Sequence, residues 1–344
     1  MRRIAVILSC LAFTVTAFAN DDSRLDALMQ RYQGDVPGAS LLVLKDGKPL
    51  VSKGYGFSDL EAHVAAAPST DYRLASVSKQ FTAAAILLLA QDGKLSLDDH
   101  VRQWLPALPA VTEPITIKQL LSHQGGLIDY EDIMPADTSV PLRDKDVLDL
   151  LSKTDHLYFP PGRSYRYSNG GYAMLALIVE KASGVSFQAF LKARIFDPLG
   201  MKHTLAFVKE GPAVPHRAFG YSEEGGRWVR TDQSMTSSVL GDGGIYSNIE
   251  DLARWDAALY DSRLLSDASR KAAFTGWTAT DDPTIRYGYG WRLTGDTLWH
   301  SGETIGFRNV IVRYPKQHLT VVLLTNRNDP EPYKIALEVA ALYL

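Results

Sequence analysis

The stretch that organises this 344-residue chain is residues 76–90, which read SVSKQFTAAAILLLA. From residue 81 to residue 90 the run is apolar almost all round, and Gly93 is well placed to end a helix. A helix without a polar face is buried. We therefore expect a central helix whose first turn, with Ser76 and Lys79, lies at the edge of the core.

Ser76 and Lys79 have the spacing of a nucleophile and its base. Residues three apart share one face of a helix, so the amine of Lys79 can reach the hydroxyl of Ser76. A serine hydroxyl becomes a good nucleophile when a neighbouring base takes its proton. The pair by itself is weak evidence, because an ordinary helix cap or surface pair has the same spacing.

Tyr167 and Asn169 lie in the turn-rich residues 159–171, just before a second predicted helix. A free tyrosine has a pKa of about 10. Tyr167 can therefore act as a base only if nearby positive charge lowers that pKa. We expect Lys79 and His300 to supply it. Asn169 offers both a donor and an acceptor to a substrate amide. The alternative is a structural turn.

His300, Ser301 and Gly302 stand at the end of a predicted strand, residues 297–300. Gly302 leaves the backbone open to close approach, so a substrate could pair there. His300 could hold a carboxylate or polarise the site near neutral pH. Taken alone, a partly buried structural histidine is the competing interpretation.

The three motifs occur once each and in an order that resembles the penicillin-binding-protein and serine β-lactamase superfamily. Residues 120–127, LLSHQGGL, resemble that family's L-L-S-H-x-S-G-L segment, with Gly125 in place of the usual serine. Residues 159–201, which end in PLGM, and residues 243–253 are similar to further family segments. The resemblance runs from about Asp22 to Leu344 and points to class C β-lactamase and DD-peptidase-like serine hydrolases.

The resemblance implies a role for each motif residue. Ser76 would be the acylated nucleophile, and Lys79 and Tyr167 would share proton transfer. Asn169 would contact the substrate amide, and the backbone N–H groups of Ser76 and Glu303 would form the oxyanion hole beside Gly302. His300 stands where many β-lactamases carry lysine. Histidine at this position is familiar among DD-carboxypeptidase and D-aminopeptidase-like members, so the resemblance does not imply efficient β-lactamase activity.

The predicted fold is α+β, with an antiparallel sheet from both chain ends flanked by helices. Residues 20–344 form a single catalytic domain in this prediction, with a sheet subdomain (about 20–75 and 284–344) and a mostly helical inserted subdomain (about 76–283). The predicted strands are residues 38–43, 49–55, 287–293, 297–300, 306–314 and 319–325. Asp46-Gly47 predicts a hairpin between the first two.

Residues 1–19 read as an export signal, with Arg2 and Arg3 before an apolar run that ends in Ala17-Phe18-Ala19. We therefore expect a periplasmic or secreted protein. The alternatives are a retained anchor, for which the apolar run is short, and a lipoprotein cleaved before Cys10.

Composition excludes several classes of partner. The chain has 36 basic and 39 acidic residues, a net charge of −3, and no basic stripe interleaved with aromatics, so we expect no nucleic acid. The sequence has no second long apolar stretch, so we expect no membrane span in the mature chain. Cys10, the only cysteine, would leave with the signal. The histidines lack metal-ligand spacing, so we expect no metal or cofactor.

The sequence therefore predicts an exported serine hydrolase that acts through an acyl-enzyme. Its expected substrate is a D-amino-acid peptide, in the manner of a DD-carboxypeptidase or D-aminopeptidase, or a small ester. The alternatives are a β-lactam-binding or sensor protein with slow turnover, and a true β-lactamase. The sequence specifies no oligomeric state.

Overall fold

An eight-stranded antiparallel sheet is the largest element of the computed structural model, which describes residues 23–344. The predicted signal segment lies outside these residues. The strands are β1 Ala39–Lys45, β2 Lys48–Tyr55, β3 Phe57–Asp59, β4 Val64–Ala65, β5 Tyr72–Arg73, β6 Leu205–Ala206, β7 Tyr221–Glu224, β8 Arg227–Arg230, β9 Ile245–Ser247, β10 Thr278–Ala279, β11 Arg286–Tyr287, β12 Arg292–Thr294, β13 Thr297–Thr304, β14 Phe307–Tyr314 and β15 Leu319–Thr325.

The large sheet has the order β10-β11-β12-β13-β14-β15-β1-β2, so both chain ends contribute to it, as predicted. β1 pairs with β2 and with β15. The β1–β2 turn is Asp46-Gly47, and both residues have positive φ, 50° and 73°, which an Asp-Gly hairpin turn accommodates. Three smaller sheets pair β3 with β4, β5 and β6 with β9, and β7 with β8.

Helices cover both faces of the sheet. They are α1 (residues 23–28), α2 Lys79–Gln91, α3 Val101–Trp104, α4 Ile117–Leu121, α5 Tyr130–Ile133, α6 Asp144–Leu151, α7 Asn169–Ser183, α8 Phe187–Leu191, α9 Asp197–Leu199, α10 Leu240–Gly243, α11 Ile249–Ala258, α12 Asp267–Ala273 and α13 Pro332–Ala341. Short 3₁₀ turns occupy Gln30–Tyr32, Ala75–Ser78, Ala110–Thr112 and Pro315–Gln317, and a π-helical turn occupies Lys192–Phe196.

Alternation along the strands gives the sheet two apolar faces. Leu41 and Val43 of β1 pack in one core with α13 residues such as Val339. Leu42 and Leu44 belong to the larger core that contains α2 and α7. Because α2 is buried from Lys79 to Leu89, the sequence prediction of a central helix is confirmed.

Two local predictions were wrong. The predicted strand 287–293 is a hairpin, since β11 pairs with β12 around residues 288–291. Gly290 in that turn has φ +74°, and a Cβ there would lie 2.8 Å from the carbonyl oxygen of Lys79. The chain therefore bends where it meets the start of α2. The helix expected from Ser76 begins as the 3₁₀ turn Ala75–Ser78, and α2 itself begins at Lys79.

The subdomain boundaries stay a prediction, although the five short strands β6 to β10 fall within the segment predicted to be mostly helical. Within residues 23–344, no single helix is long and apolar enough to cross a membrane, and one bent pair, Asn169–Ser183 with Phe187–Leu199, meets the length and composition test jointly.

Candidate active site

Ser76 lies in a turn whose other residues are buried. Between Asp71 and Leu89 it is the one residue that is not buried. The residue before it, Ala75, has φ +49°, a conformation that side chains other than glycine rarely adopt. Such strain persists where the surrounding structure imposes it, and it is common at functional sites.

The surrounding structure here is β13. β12 pairs with β13 only over Thr297–Trp299, and beyond that point the Ser76 turn packs against β13. A Cβ on Gly302 would lie 2.1 Å from the carbonyl oxygen of Leu74 and 3.0 Å from the backbone nitrogen of Ser76. Only glycine therefore lets the strand approach the nucleophile turn this closely.

Lys79 is fully buried, and its amine contacts three oxygen atoms. Nζ lies 3.1 Å from Ser76 Oγ, 2.7 Å from Asn169 Oδ1 and 2.9 Å from the carbonyl oxygen of Asp242. The structure thus brings the first two sequence motifs together. It also adds Asp242, which the sequence analysis did not single out.

Asn169 begins α7, directly after the N-cap Ser168, whose hydroxyl accepts from the N–H of Gly171. The Asn169 backbone N–H donates to Asp129 Oδ2 at 2.6 Å, and its Nδ2 donates to Glu131 Oε1 at 3.0 Å. Both ends of the Asn169 amide are therefore engaged by protein groups, and its predicted contact with a substrate amide stays a prediction.

Tyr167 lies beside the lysine. Lys79 Nζ is 4.8 Å from the centre of the Tyr167 ring, and the Tyr167 hydroxyl is buried without a hydrogen-bond partner among the described residues. A buried polar group normally has a partner in the functioning protein. The Tyr167 hydroxyl is therefore available to a substrate or a water molecule.

His123, from the LLSHQGGL segment, packs against Tyr167 with 4.3 Å between ring centres and the rings tilted by 36°. Its Nδ1 accepts from the N–H of Ser168 at 3.1 Å, so the ring proton is on Nε2, which has no partner among the described residues. Burial, and then the charge of Lys79, hold the pKa of His123 well below its usual value.

His300 has both ring nitrogens engaged. Nδ1 donates to the Ser301 carbonyl oxygen at 2.6 Å, and Nε2 accepts from the Tyr287 hydroxyl at 2.9 Å. Burial, followed by the charges of Arg292 and Lys79, holds the pKa of His300 well below its usual value. A neutral His300 supplies no positive charge to Tyr167 in this arrangement, contrary to the expected electrostatics.

Asp242 and Glu131 are carboxyl groups that sequence reasoning missed. Burial raises the pKa of Asp242 to about 8, which Lys79 opposes, and Tyr130 donates its hydroxyl proton to Asp242 Oδ2 at 3.0 Å. Burial and the neighbouring Asp129 raise the pKa of Glu131.

A cleft of about 40 Å³ opens at Ser76. Two of its walls come from predicted site residues, Asn169 and Glu303, and the carboxylate of Glu303 pairs with Arg308 at 2.5 Å. The remaining lining residues are Arg73, Ala75, Glu131, Thr236, Asp242, Gly243 and Thr304. Tyr167 and His300 are not among the residues that line this cleft.

The described residues contain no group of three or more His, Cys, Asp or Glu side chains arranged to hold a metal ion.

Comparison with known proteins places this geometry in a family. Residues 22–344 match the family model described as Beta-lactamase. Penicillin-binding protein 4* of Bacillus subtilis (strain 168) is 32% identical over 324 residues, which cover 89% of this chain and 71% of the relative. Protein flp of Staphylococcus aureus (strain MW2) is 32% identical over 324 residues, 90% of this chain and 64% of flp.

Solved structures agree. The octameric penicillin-binding protein homologue from Pyrococcus abyssi superposes with a TM-score of 0.84 at 28% identity, covering 95% of this chain and 77% of that chain. D-amino acid amidase from Ochrobactrum anthropi SV3 has a TM-score of 0.80 at 24% identity over 94% of this chain and 99% of that chain, a likeness of fold. The family match over the whole described chain and the Ser76–Lys79 contact at its buried helix show that this protein belongs to the Beta-lactamase family of serine hydrolases.

Proposed function

We propose that Ser76 forms an acyl-enzyme with the amide of a D-amino-acid peptide or with a small ester, and that water then releases the acid. The observation that carries this proposal is the contact of 3.1 Å between Lys79 Nζ and the hydroxyl of Ser76, the only residue of its turn that is not buried.

Hydrogen-bond accounting is compatible with Lys79 as a base. The carbonyl oxygen of Asp242 and the amide oxygen of Asn169 only accept, so these two contacts use two hydrogens of the amine. The Asn169 orientation follows from its Nδ2 contact with the carboxylate of Glu131. When Lys79 is neutral, the lone pair of its amine remains free to accept the hydroxyl proton of Ser76.

The reaction proceeds in two transfers. Ser76 Oγ bonds to the substrate carbonyl carbon while its proton passes to Lys79, and the leaving amine or alcohol takes a proton as its bond to that carbon breaks. The unpartnered Tyr167 hydroxyl, beside the lysine, is the group we propose for delivering that proton, and the proton that Lys79 took from Ser76 then passes to the Tyr167 phenolate. Water attacks the acyl ester, returns a proton to Ser76 Oγ and leaves a free acid.

The carbonyl oxygen of the substrate becomes negative in the first transfer and needs donors. The N–H of Ser76 and the N–H of Glu303 are proposed to supply them, because Gly302 holds β13 against the Ser76 turn. The β13 backbone beyond Trp299 has no β12 partner, so an extended substrate can pair with it there.

The polar lining of the cleft matches a peptide better than a simple ester. The lining includes the charged side chains of Arg73 and Glu131 and the hydroxyls of Thr236 and Thr304. The names of the similar proteins, a penicillin-binding protein and a D-amino acid amidase, agree with a D-peptide or D-amide substrate. A neutral His300 offers no cation to a substrate carboxylate, which counts against a β-lactam and favours an amide or ester without a free carboxylate at this position.

A substrate panel on the purified protein tests the proposal. The panel is a D-Ala-D-Ala peptide, a D-alanine amide, p-nitrophenyl acetate and nitrocefin, each with Ser76→Ala as control. We expect turnover of a D-substrate that the control loses. A long-lived adduct without product supports the β-lactam-binding alternative, and nitrocefin as the best substrate supports a β-lactamase.

Export is proposed from residues 1–19 alone. Fractionation of cells that produce the full chain tests it: mature protein outside the cytoplasm is expected, and full-length protein in the cytoplasm contradicts it.

A further inference from the structure

His123 lies against Tyr167 and bonds to the residue on each side of it. Its carbonyl oxygen accepts from the N–H of Arg166 at 3.0 Å, and its ring Nδ1 accepts from the N–H of Ser168 at 3.1 Å. Between these two bonds, its ring packs on the Tyr167 ring with 4.3 Å between ring centres. We call these three contacts the His123 clamp, because one residue fixes three consecutive positions of the segment that carries the proposed proton donor.

The His123 clamp is anchored at a helix end. α4 ends at Leu121, and His123 has φ +59°, the left-handed conformation in which a helix usually ends with glycine or asparagine. The N–H of His123 donates to the carbonyl oxygen of Leu120 at 3.1 Å. The hydroxyl of Tyr172, on α7, donates to the carbonyl oxygen of Leu121 at 2.8 Å. The residue that holds Tyr167 is therefore fixed to two helices.

The turn after α4 also bonds to the loop farther from the tyrosine. The carbonyl oxygen of Gln124 accepts from the N–H of Gly162 at 2.8 Å, and the carbonyl oxygen of Gly126 accepts from the N–H of Tyr158 at 2.8 Å. These bonds continue the contact that His123 makes with Arg166. The LLSHQGGL segment, to which the proposed mechanism gives no part, thus holds the whole approach to the tyrosine.

The His123 ring is suited to accept a hydrogen bond. It is 2% exposed, and burial, followed by the charge of Lys79, holds the pKa of His123 well below its usual value. A neutral ring keeps the Nδ1 lone pair for the N–H of Ser168, whereas a protonated imidazole carries a hydrogen on both nitrogens and cannot accept. In this environment the imidazole is a fixed acceptor.

The position of the Tyr167 ring depends on its packing, because its hydroxyl has no hydrogen-bond partner among the described residues. The rings of Tyr287 and His300 are farther from it than the ring of His123, with 6.2 Å between ring centres in each case. A displacement of about 1 Å at a reacting group can cost about 10²-fold in rate. A contact that fixes the tyrosine therefore affects the chemical step.

We infer that His123 is a positioning residue for acylation: by accepting the N–H of Ser168, it keeps Tyr167 where the phenol can deliver a proton to the leaving group. The inference rests on the proposed function, which assigns that proton delivery to Tyr167. In this role His123 takes up no proton and acts on the reaction only through Tyr167.

Two substitutions separate the acceptor from the ring. His123→Phe keeps an aromatic ring against Tyr167 but offers no acceptor to Ser168, and it should slow acylation by a penicillin or fluorophosphonate probe by about 10²-fold. His123→Asn places an amide oxygen near the Nδ1 position and tolerates a left-handed backbone, so it should regain most of that loss. His123→Gln, whose amide reaches the Nε2 position instead, should stay slow, and it takes the place of His123→Phe if that variant does not fold.

Ser122→Ala is the matched control. Ser122 is buried beside His123 in the same turn, and its hydroxyl bonds to the carbonyl oxygen of Lys118 and to the side chain of Gln124. The control should acylate at the wild-type rate. Amide hydrogen exchange at Ser168 is a readout without catalysis: it should be faster in His123→Phe, and as slow as in wild type in His123→Asn and in the control.

A double-mutant cycle with Tyr167→Phe tests whether His123 acts through Tyr167. In the Tyr167→Phe background, His123→Phe should add little further loss of acylation rate, because residues that act as a unit on one step are not additive. Full additivity, or a wild-type rate for the folded His123→Phe variant, overturns the inference and leaves the proposed function standing. Unchanged amide exchange at Ser168 in His123→Phe overturns the His123 clamp. A wild-type rate for Tyr167→Phe overturns the proton route of the proposed function, and the positioning role with it.

Discussion

The amine of Lys79 donates to the amide oxygen of Asn169 at 2.7 Å, across 90 positions of sequence. This bond joins the Ser-x-x-Lys motif to the Tyr-x-Asn motif, so Asn169 has a structural role within the site. Asn169 holds the lysine, and Glu131 in turn holds Asn169 at 3.0 Å. The following predictions examine the site that this chain of contacts builds.

Ser76→Ala should abolish covalent labelling by a fluorophosphonate or penicillin probe, because the attacking oxygen is removed. Intact-protein mass spectrometry measures the adduct. Ser78→Ala is the matched control: Ser78 is in the same 3₁₀ turn but is fully buried, with its hydroxyl accepting from the N–H of Ile245. Undiminished labelling of the Ser76 variant would end the assignment of the nucleophile.

Lys79→Ala and Tyr167→Phe should each slow acylation by about 10²–10⁴-fold, the usual scale for general acid–base groups. Stopped-flow measurement of probe acylation gives the rate. Tyr165→Phe is the control, because it also removes a buried hydroxyl without a partner among the described residues. If Tyr167→Phe acylates at the wild-type rate, its hydroxyl has no part in proton transfer.

Gly302→Ala should impair both folding stability and acylation, since its methyl group would lie 2.1 Å from the carbonyl oxygen of Leu74. We expect a loss of several kcal/mol, roughly the upper range for point substitutions, in urea unfolding. Gly171→Ala is the control, because the nearest atom to a methyl group there is 3.5 Å away. Wild-type stability of Gly302→Ala would contradict the close approach of β13 to the nucleophile turn.

His300 and His123 should stay neutral when free histidines titrate. Burial is the largest cause of the lowered pKa of each, and Lys79 and Arg292 add to it. NMR of the imidazole nitrogens between pH 5 and 8 measures this, with a histidine in a short unfolded peptide as the reference. A titration of His300 near pH 6.5 would contradict the bonding described for its two nitrogens.

Asp71→Asn should become more stable than wild type as pH rises. Burial raises the pKa of Asp71 to about 8, which the Asn248 hydrogen bond opposes and the Asp251 and Glu250 carboxylates reinforce. Above the unfolded value near 3.8, the unfolded state loses a proton that the folded state keeps, so wild-type stability falls between about pH 4 and pH 8.

The difference between the variant and wild type isolates this group from the others that titrate. Near pH 4 the two proteins should have similar free energies of unfolding, and near pH 8 the variant should exceed wild type by at least about 1 kcal/mol. His203 Nδ1 lies 3.8 Å from Asp71 Oδ2. A pH-independent difference would contradict the raised pKa of Asp71.

Much of the fold could be predicted because the relevant signals are local. The apolar run from Phe81 to Ala90 identified α2, and the Asp46-Gly47 turn identified the β1–β2 hairpin. The hairpin at residues 288–291 could not be predicted from the alternating pattern around it. It arises where Gly290 meets the carbonyl of Lys79, a contact between segments more than 200 residues apart.

By itself, the sequence determined which groups carry chemistry: a serine and a lysine three residues apart on a buried helix, in a fixed order with a tyrosine and a histidine. Only the tertiary structure decided what surrounds them. It placed Asp242 and Asn169 on the lysine, gave both His300 nitrogens partners, and left the Tyr167 hydroxyl without one. The reason is physical: residue spacing within a helix is set by backbone geometry, whereas charge state and hydrogen bonding depend on burial among residues distant in the chain.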